Sequence, residues 1–205
     1  HEWECAKQEI VELLNGNRKP PMRRRQPRRM TREEAAAEVR SRFTERLRKL
    51  RILDPACGSG NFLYLALQGV KDIEHRANLD CEMLGLPPQL PFVGPEILHG
   101  IEINTMAAEL ARTTIWIGDI QWQIKNGVRS KSIPILRKLD AIKRQDALVR
   151  QAEDVERTPD AQGDLLTVSR LALGDAEAEW PEADFIVGNP PFLGVRLMRQ
   201  ALGNP

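Results

Sequence analysis

One segment constrains the fold of this chain more than any other: a short apolar strand that runs through a glycine-rich turn into a long helix. Ile52 and Leu53 predict the strand, and residues 54–60 (Asp-Pro-Ala-Cys-Gly-Ser-Gly) form the turn. A helix is predicted over residues 61–79. That succession is half of a parallel β–α–β unit, so a second strand is expected beside the first.

The glycine-rich turn is a candidate ligand site. Residues without a Cβ let the backbone approach a ligand, and the helix that follows offers free N–H groups. The turn has two glycines, Gly58 and Gly60, where a pyrophosphate fingerprint has three, and it lacks the Gly-Lys-Ser/Thr ending of a P-loop. The alternative is a plain tight turn, but a position at the end of a strand favours a ligand.

Strands and helices continue to alternate downstream. Further strands are predicted over residues 97–103, 141–148 and 184–188, and a long helix over 105–125. The polar stretch 149–182 is predicted to be mostly loop. Because strands that alternate with helices pair in parallel, the fold class is α/β, a doubly wound and mainly parallel sheet.

Two helices are predicted ahead of the sheet. The first spans residues 2–15, and the second begins at Thr31 with a Thr-x-x-Glu capping box. We therefore divide the chain into an N-terminal helical segment, residues 1–50, with a linker at about 16–31, and a core, residues 51–205.

The apolar residues of each predicted helix define the face that should pack against the core. On the first two helices these are Trp3, Ala6, Ile10, Leu13, Leu14, Ala35, Val39, Phe43, Leu47 and Leu50. On the two later helices they are Phe62, Leu63, Leu65, Ala66, Val70, Leu110, Ile115, Trp116, Ile117, Ile120 and Trp122.

The linker carries most of the positive charge. Residues 1–50 contain 14 Lys and Arg against 8 Asp and Glu, whereas the remainder contains 16 against 21. Eight of the basic residues lie between Arg18 and Arg32, interleaved with three prolines. Such a cluster can bind a polyanion by releasing counterions, or it can be a solvated linker between two helices. The lack of aromatic residues among the arginines favours the linker.

Composition excludes several classes of protein. No apolar run approaches the roughly 18 residues of a membrane span, and no secretory signal is present. The three cysteines, Cys5, Cys57 and Cys81, lack metal-type spacing. We therefore expect no disulfide framework, no metal site and a reducing, cytoplasmic setting.

Two further motifs end predicted strands. Glu102 ends the second strand, where an acidic side chain can accept both hydroxyls of a ribose; alternatively it is an ordinary exposed acid.

Residues 189–192 (Asn-Pro-Pro-Phe) follow the last strand, which two prolines must break at its carboxyl end. An amide oxygen, a free carbonyl and an aromatic ring together suit a planar substrate with an exocyclic amine. The alternative is a Pro-rich turn with a buried Phe.

These motifs together resemble the amino-methylating DNA methyltransferases that act on adenine N6. The resemblance rests on Asp-Pro-Ala-Cys-Gly-Ser-Gly-Asn-Phe and Asn-Pro-Pro-Phe, and residues 101–104, 146–148 and 182–188 fit the same pattern. Residues 45–194 as a whole are similar to the large restriction-and-modification enzymes of the MmeI type and to phage-defence methyltransferases. This resemblance implies a Rossmann-like class I methyltransferase sheet, strands one to four, with N-terminal helices.

The resemblance also implies a role for each motif residue. S-adenosylmethionine would be the cofactor, its methionine half bound by Asp54, Ala56, Cys57, Gly58 and Gly60. Its ribose and adenine would be bound by Glu102, Ile103, Asp146 and Ala147. The target base, flipped out of double-stranded DNA, would occupy a site made by Asn189, Pro190, Pro191 and Phe192. Catalysis would be alignment for direct displacement, so Cys57 is expected to be a packing residue rather than a nucleophile.

The chain stops 13 residues after Phe192, so we expect a fragment without the domain that recognises the DNA sequence. Strand four should then be an exposed edge. Two other functions stay open. One is a non-catalytic module that binds cofactor or nucleic acid, and the other is a transferase acting on RNA bases or protein glutamine.

Overall fold

The structure, a computed structural model, describes residues 1–22, 29–128, 139–147 and 178–190. Four α-helices are described: α1 (Glu2–Leu14), α2 (Arg32–Arg48), α3 (Asn61–Met83) and α4 (Thr105–Lys125). The strands are β1 (Ile52–Asp54), β2 (Leu98–Glu102), β3 (Ile142–Arg144) and β4 (Phe185–Ile186), and a 3₁₀ turn (Pro95–Ile97) precedes β2.

The four strands form one parallel sheet in the order β3-β2-β1-β4. Ile52 lies opposite both Leu98 and Phe185, and Gly100 lies opposite Ile142. The prediction of a parallel, Rossmann-like α/β sheet is confirmed. Because all four strands point the same way, their carboxyl ends meet at one edge, which is the edge where such sheets bind ligands.

Three of the observed strands are shorter than the sequence predicted, whereas β1 extends one residue further, to Asp54. The 3₁₀ turn takes up Ile97, so β2 begins at Leu98, and the ladder of β3 ends at Arg144. In β4 only two residues pair, with Phe185 and Ile186 55% and 61% exposed. Strand ends depend on where a neighbouring strand supplies partners, which the apolar pattern of one segment does not specify.

The N-terminal helices pack as the sequence predicted. The predicted faces of α1 and α2 are buried at Trp3, Ile10, Leu13, Ala35, Val39, Phe43 and Leu47. The rings of Trp3 and Phe43 pack against each other at a tilt of 45°, with centroids 5.0 Å apart. The capping box is also present, since Glu34 N–H donates to the Thr31 hydroxyl at 3.1 Å and Thr31 N–H donates to the Glu34 carboxylate at 2.9 Å.

The predicted faces of the two later helices were wrong in part. Leu63 and Val70 are buried as predicted, but Phe62 and Leu65 are 46% and 59% exposed. The buried stripe of α3 continues instead through Leu67, Lys71, Glu74, Ala77, Asn78 and Cys81. On α4, Leu110 and Ile117 are exposed, whereas Ile115 and Trp122 are buried. Both helices carry apolar residues on more than one face, so the choice depends on which face the sheet covers.

Two charged residues of α3 hold the loop that precedes β2. The buried Glu74 carboxylate accepts from Phe92 N–H at 2.8 Å and from Val93 N–H at 2.9 Å. Lys71, also buried, donates to Asp119 of α4 at 2.6 Å and to the Val93 carbonyl at 3.0 Å. These contacts satisfy buried charges and fix the loop at which β2 begins.

The Arg- and Pro-rich stretch has its two ends held together. Met22 and Arg29 form an antiparallel bridge, Met30 N–H donates to the Pro21 carbonyl at 3.1 Å, and Arg29 donates to the Pro20 carbonyl at 3.3 Å. Residues 23–28 lie outside the described residues. Both interpretations of this stretch, solvated linker and phosphate-contacting segment, stay predictions. In the described part of the chain, no helix is both long and apolar enough to cross a membrane.

Candidate active site

The predicted site residues that the structure describes lie at the carboxyl edge of the sheet. The glycine-rich turn follows β1, Glu102 ends β2, Asp146 follows β3 and Asn189 follows β4. Asp54 lies opposite Gly100 in the ladder between the two central strands. Segments far apart in the chain therefore surround the end of β1, which is the middle of the site.

The turn adopts a backbone that glycine favours. Gly58 and Gly60 have φ of +53° and +84°, and Gly60 is the N-cap of α3. A Cβ on Gly60 would lie 3.0 Å from the Ala111 Cα, so α4 packs directly against the turn there. A Cβ on Gly58 would meet no atom of the described structure within 4 Å, so this glycine borders open space. Gly60 is therefore required for packing, whereas Gly58 leaves room beside the turn.

Glu102 joins the turn to the start of α4. One carboxylate oxygen accepts from Gly58 N–H and the other from Asn104 N–H, both at 2.8 Å. Asn104 in turn caps α4, because its side-chain oxygen accepts from the N–H groups of Met106 and Ala107. Each carboxylate oxygen keeps a further lone pair for a ligand hydroxyl. Asn104 has no predicted role of its own, although an Asn before a helical segment is an N-cap signal.

Asp54 ends β1 as a buried carboxyl, 1% exposed. Its Oδ1 accepts from Ala56 N–H at 3.0 Å, and its Oδ2 has no hydrogen-bond partner among the described residues. Burial raises the pKa of this carboxyl and the nearby Glu102 charge adds to the rise, while the Ala56 hydrogen bond acts in the opposite direction. A buried acceptor without a partner is costly unless a ligand supplies a donor.

Cys57 lies inside the turn as a buried, neutral thiol. Burial raises its pKa to about 12, with the charges of Asp54 and Glu102 adding to the effect. Its N–H donates to the Ile101 carbonyl at 3.0 Å, and a Cβ on Gly100 would lie 3.0 Å from its sulfur. A thiol in this state packs the turn against β2 and makes a poor nucleophile.

The end of β3 supplies the third part of the site. Asp146 and Ala147 are half-buried, and the Ala147 carbonyl accepts from the Trp180 indole N–H at 2.7 Å. Gln145 N–H donates to the Glu102 carbonyl at 3.2 Å, which ties this segment to β2. Ile103 follows Glu102 at the end of β2 and is 56% exposed, so it presents an apolar surface at the same edge of the sheet.

The fourth part follows β4. Asn189 and Pro190 are exposed at the sheet edge, whereas Pro191 and Phe192 lie outside the described residues. Gly188 runs against the buried carboxyl of β1: a Cβ there would lie 2.6 Å from Asp54 Oδ1. The sequence predicts a strand through Gly188 and no role for this residue, because Asp54 is 134 positions away and no local signal reports the proximity.

One family model matches most of the chain. The family described as "MmeI, DNA-methyltransferase domain" matches residues 30–202. DNA methyltransferase A of Bacillus subtilis (strain 168) is 31% identical over 152 residues, a match that covers 73% of this chain and 15% of that protein. The solved structure of the Type IIL restriction-modification enzyme MmeI in complex with DNA matches 70% of this chain and 18% of that one, with 19% identity and a TM-score of 0.44. The chain thus spans less than a fifth of the length of either relative.

Proposed function

The chain belongs to the family of MmeI DNA-methyltransferase domains, and on that premise we propose that it forms the cofactor and target-base site of an enzyme that methylates adenine N6 in duplex DNA. One observation carries the proposal. The glycine-rich turn and the Asn189 segment leave neighbouring parallel strands, β1 and β4, at the same edge of the sheet. A methyl donor held by the first and an amine held by the second would meet there.

The residues around β1 fit S-adenosylmethionine. Among the described residues, Asp54 Oδ2 is a buried acceptor without a donor, and a Cβ on Gly58 would meet open space. Glu102 holds its carboxylate at the same edge. An ammonium group and two ribose hydroxyls are the donors that such a set requires. We assign the methionine half to Asp54, Ala56, Cys57, Gly58 and Gly60, and the nucleoside half to Glu102, Ile103, Asp146 and Ala147.

We assign the target base to the segment after β4. Because Pro190 has no N–H, strand pairing cannot continue there, and carbonyl groups next to it are free to accept hydrogen bonds. The Asn189 amide oxygen and the Pro190 carbonyl would each accept one hydrogen of the adenine amine. Pro191 and Phe192 would complete the pocket, with the Phe192 ring stacked on the base.

Catalysis in this site would be alignment. The bound cofactor supplies an electrophilic methyl group. The base must leave the duplex, since its amine is otherwise paired. Asn189 would orient the amine lone pair, and its amide oxygen would stabilise the positive charge that develops at N6. The bond from N6 to the methyl carbon would form as the bond from that carbon to sulfur breaks, and N6 would then release one proton to solvent. Cys57 takes no part in this step, in agreement with its neutral, buried thiol.

We propose that the enzyme works in a cytoplasmic restriction-modification or phage-defence system on double-stranded DNA.

The test is methylation of duplex DNA by the chain in its native polypeptide context, with the product nucleoside identified by mass spectrometry. We expect N6-methyladenine, and we expect Asn189→Ala to lower kcat/KM by about 10²–10³-fold. Asn17→Ala, in the exposed loop after α1, is the matched control.

Each other outcome identifies a different function. N4-methylcytosine would contradict the adenine assignment, and methylation of RNA or of protein glutamine in place of DNA would contradict the substrate. Calorimetric binding of S-adenosylmethionine without turnover on any of these substrates would identify a non-catalytic module.

A further inference from the structure

The buried carboxyl of Asp54 touches the segment that is proposed to hold the target base. A Cβ placed on Gly188 would lie 2.6 Å from Asp54 Oδ1, 3.2 Å from its Cγ and 3.6 Å from its Oδ2. Only a glycine brings the backbone this close to the carboxyl, since a methyl group at that position overlaps an oxygen atom. Asn189 is the next residue in the chain.

The Asp54 side chain has little freedom to move aside. It is 1% exposed at the end of a central strand, with β2 on one side and β4 on the other. Its Oδ1, the atom closest to Gly188, is held by the Ala56 N–H at 3.0 Å. A shift of the carboxyl would therefore break a buried hydrogen bond within the glycine-rich turn.

The backbone at Gly188 is fixed on its other side. Val187 N–H donates to the Leu53 carbonyl at 2.8 Å, and Leu53 lies opposite Ile186 in the ladder. The position of Gly188 along β1 is thus set by the sheet. Because Val187 is held by Leu53, a side chain at residue 188 would displace the chain that follows it, and Asn189 would move.

We propose that Asp54 and Gly188 are positioning residues. The backbone at Gly188 packs against the Asp54 carboxyl, and this contact fixes the position of Asn189. The turn at residues 54–60, which binds the methyl donor, therefore also positions the side chain that binds the target amine. This inference rests on the proposed function and deepens it. It gives Asp54 a second role, toward the base, beside its assignment to the cofactor. The link is steric, so it depends on the shape of residue 54 and not on its charge.

The test is Gly188→Ala, measured by calorimetry for cofactor affinity and by single-turnover methylation with saturating cofactor and DNA. We expect cofactor affinity to stay within about twofold, while the methyl-transfer rate falls by about 10–100-fold because the reacting groups are displaced. Gly69→Ala is the matched control, since a Cβ on this exposed glycine of α3 meets no described atom within 4 Å. The control should retain both properties.

Two second-site variants separate the steric link from a general loss of folding. Asp54→Ser shortens the side chain, so in that background Gly188→Ala should cost no more than about threefold in rate, a non-additive result. Asp54→Asn keeps the shape, so the full penalty of Gly188→Ala should persist there. Additive penalties in the Asp54→Ser background, or an unchanged rate for Gly188→Ala alone, would overturn the inference. Failure of the unmodified protein to methylate adenine would instead overturn the proposed function.

Discussion

Gly58 and Glu102 are joined by a 2.8 Å hydrogen bond from the turn after β1 to the last residue of β2. The second Glu102 oxygen accepts from Asn104 N–H, so one carboxylate holds both the turn and the start of α4. The ends of the two central strands are thereby fixed before any ligand binds. Preorganisation of this kind lowers the cost of binding.

Replacement of Glu102 by Gln should weaken cofactor binding. The amide has only one acceptor oxygen, so it cannot hold the two backbone N–H groups and also accept from both proposed ribose hydroxyls. A hydroxyl left unpaired in the bound state costs about 1–3 kcal/mol. We expect the Kd for S-adenosylmethionine, measured by calorimetry, to rise by about 5–150-fold. Glu82→Gln, at an exposed position of α3, is the control and should leave the Kd unchanged. Equal affinities for Glu102→Gln and the unmodified protein would exclude Glu102 from the site.

The two glycines of the turn should respond differently to alanine. Both have positive φ, which costs an L-residue about 1–2 kcal/mol, but only a Cβ on Gly60 meets backbone, 3.0 Å from the Ala111 Cα. We expect Gly60→Ala to be the less stable variant in urea unfolding. Gly58→Ala should stay folded and lose cofactor affinity, because its methyl group enters the open space. Retained affinity in Gly58→Ala would show that the cofactor does not lie beside the turn.

The buried pair of Lys71 and Asp119 should contribute strongly to stability. Lys71→Met leaves Asp119 as an unpaired buried charge, and such a change costs about 3–5 kcal/mol. Urea unfolding measures this loss directly. Lys71→Met with Asp119→Leu should recover most of it, because neither member of the pair then buries a charge. A loss below about 1 kcal/mol in the single variant would show that solvent reaches the pair.

Cysteine reactivity should separate buried from exposed thiols. With a pKa of about 12, Cys57 has roughly one thiolate in 10⁴ at pH 8, and burial also raises the pKa of Cys81. Cys5 is exposed and should react first with a thiol reagent. Mass spectrometry of the native protein should find label at Cys5, with Cys57 labelled only after denaturant is added. Fast native labelling of Cys57 would contradict its burial.

The Asp54 carboxyl should make stability depend on pH. Its pKa is raised in the folded protein, chiefly by burial. The folded state therefore holds this proton more tightly than the unfolded state does. The stability that the group contributes is complete below its unfolded pKa, and it is lost as pH rises through the higher folded pKa.

Asp54→Asn removes that dependence while keeping an acceptor for Ala56 N–H. The unfolding free energy of the unmodified protein, relative to the variant, should fall as pH rises from the ordinary carboxyl range toward neutrality. The unfolding free energies of both proteins are measured by urea unfolding at each pH. If the two free energies change with pH in the same way, Asp54 is solvated.

The local signals of the sequence identified most elements of this fold. The Thr31 capping box, the turn at residues 54–60 and the apolar stripes of α1 and α2 each depend on neighbours within a few positions. All residues that form such a signal lie within a few positions of one another, so the element can be predicted without knowledge of the tertiary structure. The faces of α3 and α4 could not be chosen in this way, and Phe62 and Leu65 were assigned to the core in error.

The sequence by itself determined the order of strands and helices, the glycine-rich turn and the presence of an acid and an Asn at strand ends. Tertiary structure alone decided that Glu102 would hold the Gly58 N–H and that Gly188 would run against Asp54. Both contacts join segments that only the sheet ladder brings together. A parallel ladder sets neighbours by register across distant segments, and no periodicity within one segment encodes that register.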